Sequence, residues 1–276
     1  MTETIIGRSY NIVEIIGQGA FGMVAKGVHI RTREDVAIKI SRLDSTPNML
    51  KNESTVYLLL NKRDASEGFP AVKWVGKDEK YYYMVTELLG GSLTAFKYSE
   101  DCRTLNNVLD IGEQLITRLK TIHGHHLVHR DIKPDNILFG LGKKSRVVYL
   151  IDFGFCKSYS LADGSHIKLK HGQSIIGTPY FVSINVHDEL SYSRRDDIES
   201  VIYVLLYLFL PLGKWNQLFR ACKTNDELRQ LKNSLPENGI VPPFIKNALI
   251  YCRQLEYEAA PDYSRLIQIL RASEII

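Results

Sequence analysis

His129-Arg130-Asp131-Ile132-Lys133-Pro134-Asp135-Asn136 is the stretch whose reading decides the fold. It sets a carboxylate able to take up a proton (Asp131), a lysine able to offset anionic oxygen (Lys133) and an amide able to hold a hard cation (Asn136) close together in the chain. Sixteen residues past Asn136, Asp152-Phe153-Gly154 follows a short apolar run, Val147 to Ile151, of the length of a buried strand. The Asp152 carboxylate offers a second ligand for such a cation. Either segment alone has little weight. The octet, the spacing and matching segments upstream make coincidence a poor explanation.

The rest of the composition narrows the class. A chain of 276 residues can bury a substantial core as one large domain or two fused lobes. Hydrophobic content of 45% and charged content of 24% are ordinary for a soluble enzyme. The formal net charge is only +4 and no Lys/Arg block reaches five residues, so nothing argues for nucleic-acid binding. Cys102, Cys156, Cys222 and Cys252 lie far apart without a C-x-x-C pair. They read as reduced thiols of a cytoplasmic or nuclear protein, not as a disulfide frame or zinc site. The first residues carry Glu3 and Arg8 and no long apolar run, so no secretory signal is expected. The longest apolar run, Val201 to Leu212, is too short to span a bilayer and reads as a core helix. We expect no membrane association and a monomer.

Periodicity divides the chain. Tyr10 to Ile16, Met23 to Ile30, Asp35 to Ile40, Ala71 to Val75 and Tyr81 to Glu87 are short β-rich runs, and Met49 to Asn61 reads as a helix carrying Glu53. This predicts a five-stranded antiparallel sheet with one helix. After Gly90-Gly91 the pattern is helical. Leu105, Val108, Leu109, Leu115, Ile116, Leu119 and Ile122 follow 3-4 spacing, and further helices are expected at about Asp197 to Leu210, Asp226 to Asn233, Phe244 to Leu255 and Tyr263 to Ala272. The expected fold is α+β and bilobal over residues 1–276, with a small β-rich lobe to about residue 89, a hinge near 87–91, a large helical lobe from about 92, and a ligand cleft between them.

Two upstream segments carry chemistry. Gly17-Gln18-Gly19-Ala20-Phe21-Gly22-Met23-Val24 is a G-x-G-x-x-G-x-V string whose glycines let backbone N–H groups approach anionic oxygens. The same string marks dinucleotide folds, but here strands flank it and no helix follows. Val36-Ala37-Ile38-Lys39 ends a strand in a lysine that needs an anionic partner, and Glu53 sits on the helix that can face it. Other features read more plainly. His123, His125 and His126 lie at a helix-to-loop junction without matching ligands, Cys156 is a small packed residue, Tyr81-Tyr82-Tyr83 is strand, and His129 is structural.

These segments resemble the motifs of protein kinases. The resemblance implies ATP and Mg²⁺ as cofactors. Ile16, Gly17, Gln18, Gly19, Ala20, Phe21, Gly22, Val24, Ala37, Glu87, Leu89 and Leu138 would bind the nucleotide, with the adenine between Ile16, Ala37 and Leu138. Lys39, oriented by Glu53, would reach the α- and β-phosphates. Asp131 would accept the substrate proton, Lys133 would offset γ-phosphate charge, and Asn136 and Asp152 would hold the metal. Asp197 would cap the catalytic-loop backbone. Arg130 would accept an anion from the loop after Asp152.

Glu87-Leu88-Leu89-Gly90-Gly91-Ser92, Gly177 to Asn185 and Ser193 to Ser200 resemble the casein kinase I family more narrowly. Ser183-Ile184-Asn185 stands where most protein kinases carry Ala-Pro-Glu. Cys252 to Leu255 and Pro261 to Ser264 point the same way, and the resemblance covers about residues 9 to 272. It implies a Ser/Thr kinase acting on acidic or already phosphorylated proteins. Three positions depart from the family. Thr86 replaces a common Met and should open a back pocket to inhibitors. Tyr180 replaces an expected Arg, and Asp226 an expected Lys, although Arg220 and Lys223 are near. A second anion pocket is expected from Arg130, Lys157 and one of Lys168 or Lys170, and the absence of sequence beyond Ile276 suggests constitutive competence. A scaffold without catalysis and a vaccinia-related kinase stand as alternatives. Retention of Lys39, Asp131, Asn136 and Asp152 opposes the first, and the Ser-Ile-Asn segment opposes the second.

Overall fold

The computed structural model describes residues 4–19, 22–45, 48–61, 67–99 and 104–272. Ala20, Phe21 and Cys102 lie outside the described residues. The chain divides into two compact units, Met1–Gly90 with Leu138–Cys156, and Gly91–Ile137 with Lys157–Ile276. The architecture is the expected α+β one, a curled antiparallel-sheet lobe and a helical lobe.

The first unit is built on six strands: β1 (Thr4–Ile6), β2 (Tyr10–Gly19), β3 (Gly22–His29), β4 (Asp35–Arg42), β5 (Val72–Lys77) and β6 (Tyr81–Glu87). They pair antiparallel in the order β1-β2-β3-β4-β6-β5. The sequence pattern predicted five strands. The sixth, β1, is too short to show a period and returns onto β2 through a tight turn with Gly7 and Arg8 at φ 52° and 60°. On β4, Val36, Ile38 and Ile40 enter a core with Ile6, Tyr10, Ala25, Tyr83 and Val85. Ala37 and Lys39, one residue out of phase, take the opposite face. Residues opposite each other in an antiparallel pair share a face. The register Gly17↔Val24, Val24↔Lys39 and Lys39↔Met84 therefore forms one row, with Ala37↔Thr86 beside it.

Helix α1 (Met49–Leu60) starts at Asn48, whose side chain accepts from Lys51 N. It buries Leu50, Glu53, Val56, Tyr57 and Leu60 and packs against β4, β5 and β6. A two-stranded sheet of Ile137–Phe139 and Val148–Leu150 leads to Asp152.

In the second unit the described residues include α2 (Leu93–Phe96), α3 (Leu105–Gly124), α4 (Ile184–His187), α5 (Arg194–Phe209), α6 (Leu212–Trp215), α7 (Asn225–Ser234), α8 (Pro243–Arg253) and α9 (Tyr263–Arg271). α5 is apolar and buried around its circumference from Ile198 to Leu208 apart from a few polar residues, and α3 and α8 pack on it, as befits a core helix. It begins earlier than the pattern predicted because Asp196 reaches back to accept from Ser193 N at 2.7 Å. It ends at Phe209 because Pro211 pushes Leu210 into an extended conformation (φ −70°, ψ 139°). Leu127–Val128 pairs antiparallel with Lys157–Ser158, so the chain entering the His129 octet is tied to the chain leaving Cys156.

α7 carries an exception to the burial rules. Its buried residues are Leu228 and Lys232, and the lysine is 0% exposed. Lys232 Nζ donates to Pro179 O at 2.7 Å and Val182 O at 2.6 Å and lies 3.1 Å from His187 Nε2 at the end of α4. Burial, and then the neighbouring Lys232 charge, push the His187 pKa down from its ordinary value to about 4. The folded chain therefore binds this proton less well than the unfolded chain does. The associated stability is full above about pH 6.5 and is lost as pH falls toward 4. Replacing His187 by Gln, which keeps an acceptor but cannot titrate, should flatten the rise of melting temperature across that window. An unchanged slope in His187→Gln would contradict the assignment.

Candidate active site

On the open face of the first unit's sheet, Lys39 meets Glu53 of α1, with Nζ 2.5 Å from Oε1. Glu53 is 3% exposed, so its charge depends on this partner. Burial pulls the Lys39 pKa down, but the Glu53 and Asp152 carboxylates outweigh it and hold the ammonium above its ordinary value. Burial and Asp152 act against ionisation of Glu53 itself. The short contact to an ammonium that stays charged leads us to read the pair as ionised.

The same helix shapes the Asp152 turn. Asn52 Nδ2 faces the carbonyls of Phe153, Gly154 and Cys156 at 3.3, 2.9 and 3.2 Å. Tyr57 Oη accepts from Asp152 N at 3.4 Å, and the Tyr57 ring meets buried Phe153 edge-on at 5.0 Å. Asp152 has φ 69°, a left-handed conformation that costs a non-glycine residue energy and persists here because α1 and Phe153 fix both sides of it. Its Oδ1 also takes Gly154 N at 3.4 Å.

Ile16 is exposed, while Gly17, Val24, Ala37, Glu87, Leu89 and Leu138 are half-buried, and Gln18 and Gly19 are exposed. Gly22 has φ 138°, and a Cβ there would lie 2.2 Å from Ile40 O, so only glycine lets β3 leave the loop at this height. Thr86 is 7% exposed and sits across from Ala37. Glu87 is tied down on both sides, with N donating to Ala71 O at 3.0 Å and Oε1 accepting from Ala71 N at 2.9 Å.

In the second unit the octet is assembled around Asp131. Lys133 Nζ donates to Asp131 Oδ2 at 2.6 Å, and Asn136 Nδ2 donates to Asp131 O at 2.9 Å and to Oδ2 at 3.2 Å. Thr178 Oγ1 donates to the other carboxylate oxygen, Oδ1, at 3.0 Å. The loop backbone is fixed by Asp197, which accepts from His129 N at 2.7 Å and Arg130 N at 3.0 Å. Burial would raise the Asp197 pKa, but His123 at 3.0 Å and the loop amides reverse this and hold it below the ordinary value. His123 in turn is 2.8 Å from Tyr263 Oη. His129 is 0% exposed, and its Nδ1 accepts from Asp131 N at 3.3 Å.

Asn136 commits its Nδ2 to Asp131, which leaves a carbonyl oxygen to ligate, and Asp152 keeps a carboxylate oxygen beyond its Gly154 contact. Each, the Asn136 amide oxygen in the second unit and the Asp152 carboxylate in the first, is by itself a hard oxygen donor of the kind Mg²⁺ takes.

The segment after Asp152 folds back onto the octet. Gly177 has φ 102°, and a Cβ there would lie 2.5 Å from Arg130 O. A cavity of about 250 Å³ opens beside it, lined by Arg130, Lys157, Gln173, Ser174 and Tyr192 among others. Neither Lys168 nor Lys170 lines it, contrary to the sequence reading. Lys170 is drawn instead onto Ser191, its N donating to Oγ at 2.8 Å and its O accepting from Ser191 N at 2.9 Å.

Sequence reasoning missed Asn52, Tyr57 and Lys232. Nothing marks Asn52 beyond its place next to Glu53. Lys232 left a signal, a lysine four residues from Leu228 on the apolar stripe of an amphipathic helix.

The protein kinase domain model matches residues 10–247, and the chain belongs to the protein kinase family. Protein kinase domains use ATP and Mg²⁺ and act on protein substrates as phosphotransferases. No helix among the described residues is long and apolar enough to cross a membrane. The close approach of Gly177 to Arg130 gives a direct expectation. Gly177→Ala should slow phosphate transfer to a peptide by about a hundredfold through displacement of Thr178 from Asp131, with nucleotide affinity unchanged. Wild-type peptide kinetics in this variant would contradict the geometry.

Proposed function

We propose that this chain is a serine/threonine kinase of the casein kinase I group that moves the γ-phosphate of ATP to Ser and Thr hydroxyls of acidic or already phosphorylated proteins. The observation that carries the proposal is the division of the Asp131 carboxylate between Lys133 on one oxygen and Thr178 on the other. Asp131 then sits with a cation for the transferring phosphoryl group on one side and the acceptor segment on the other. Asp131 takes the hydroxyl proton, and Lys133 offsets charge on the γ-phosphate in the transition state. Lys39, held by Glu53, steadies the α- and β-phosphates. Ile16, Val24, Ala37 and Leu138 offer half-covered apolar surface to the adenine, and the Glu87 and Leu89 backbone offers its hydrogen bonds. The glycine segment, Gly17 to Gly22, supplies N–H groups to the phosphates. Asn136 and Asp152 would each offer an oxygen to Mg²⁺, which when bound would neutralise phosphate charge.

The casein kinase I assignment is supported by the contacts of the Ser-Ile-Asn segment. Ser183 Oγ at 2.6 Å and Asn185 Nδ2 at 3.1 Å both donate to buried Asp196 of α5, so the replacement for Ala-Pro-Glu has its own anchor. Competence without phosphorylation is supported by the contacts of the unmodified activation segment. Tyr159 Oη donates to His123 O at 2.7 Å, Gln173 N to Glu189 O at 2.9 Å, and His166 lies between the rings of Tyr159 and Tyr257, its centroid 5.2 and 4.7 Å from theirs.

Phosphatase-treated enzyme should phosphorylate a serine peptide with phosphoserine three residues before the target and a matched peptide with alanine there. Because Tyr180 and Asp226 replace basic residues, we expect no more than about a tenfold preference, roughly 1.4 kcal/mol, for the primed peptide. Dependence on prior phosphorylation at Ser174 or Thr178 would overturn the competence proposal, and transfer to tyrosine alone would overturn the specificity.

A further inference from the structure

The acceptor segment from Gly177 to Val182 rests on a group outside the nucleotide site. Lys232 is a lysine with no exposed surface, yet its amine has partners: it donates to two carbonyls of that segment, Pro179 O and Val182 O, and lies 3.1 Å from one ring nitrogen, His187 Nε2. Burial, with Arg253 adding to it against Glu199, pulls the Lys232 pKa down to about 7, and the amine donates to both carbonyls whether or not it carries its third proton. The two carbonyls flank Tyr180 and Phe181, and Phe181 stacks on Trp215, with ring centroids 5.6 Å apart at 14°. The segment is thus clamped by one buried amine at two carbonyls and by a ring between them, while its Thr178 faces Asp131.

The surroundings keep the lysine in place. The Tyr203 ring centroid lies 4.6 Å from Nζ, and Tyr203 Oη donates to Glu199 Oε1 at 2.5 Å. Arg253 Nη2 donates to Lys232 O at 2.8 Å and also faces Glu199, while Arg229 pairs with Asp188 beside His187. The lysine makes no direct salt bridge to a carboxylate among the described residues; its nearest acceptors are the segment's own backbone.

We infer that Lys232 is a positioning residue for the protein substrate: it holds the Gly177–Val182 backbone in the shape that receives the acceptor peptide and takes no part in nucleotide binding. This rests on the proposed role of that segment. A buried methionine in its place fills the same volume and leaves both carbonyls without a donor.

The test is steady-state kinetics of full-length Lys232→Met with an unprimed serine peptide and with ATP varied separately. The expected result is a rise of tenfold or more in KM for the peptide with KM for ATP within twofold of wild type. Equal effects on both, or neither, would overturn the inference, because a general loss of fold does not single out the peptide. If Lys232→Met does not fold, Lys232→Gln, which keeps two donors without charge, should show a smaller rise confined to the peptide, and an unmoved peptide KM there would overturn it equally. No transfer by the wild type would overturn the proposed function as well; normal wild-type kinetics with an unmoved variant would overturn this inference alone.

Discussion

One buried carboxylate holds the loop that carries Asp131. Asp197 is 0% exposed, and an ion in such a place is costly unless donors surround it. It has them: two successive backbone amides, His129 N and Arg130 N, and the His123 ring. The arrangement works in both directions. The amides keep the carboxylate ionised, and the carboxylate holds Arg130 in a left-handed conformation, φ 72°, that few arginines adopt. Asp131 follows in the chain, so its place is set by that conformation. Because Tyr263 of α9 holds His123 from the other side, the last described helix belongs to the same chain of support.

α1 does comparable work in the first unit. Successive residues of one helix serve different ends: Asn52 grips the carbonyls after Asp152, Glu53 holds Lys39, and Tyr57 takes the Asp152 amide and packs on Phe153. A rotation of this helix would disturb Lys39 and the Asp152 turn together. Neither can be tuned alone, and that gives a physical reason for both to depend on one short element.

How much of this is legible in sequence depends on the range of each interaction. Period-2 alternation around Lys39 and 3-4 spacing through α3 are local, and both elements fall where the pattern predicts them. The strand β1 is too short for a period, and its pairing depends on a turn. The residues nominated for phosphate chemistry fall into two sets, Lys39 with Glu53 and Asp152 in one unit, and Asp131 with Lys133 and Asn136 in the other. Motif spacing names them but not their contacts. One of Lys168 or Lys170 is expected beside Arg130 and Lys157 in an anion pocket, and neither lines the cavity there, because sequence does not tell which way an exposed loop turns. Asn52 acts through a backbone carbonyl 102 residues away in sequence and Lys232 through one 50 residues away, and carbonyls have no letter in the sequence.

The most direct test of the account is transfer of labelled γ-phosphate from Mg·ATP to casein by the wild type and by Asp131→Asn, followed by identification of the labelled residue. The account predicts label on serine and threonine with the wild type and a rate lower by about 10²–10⁴ in Asp131→Asn, the usual contribution of a positioned base. Equal rates in the two proteins, or nucleotide binding without transfer by either, would contradict it.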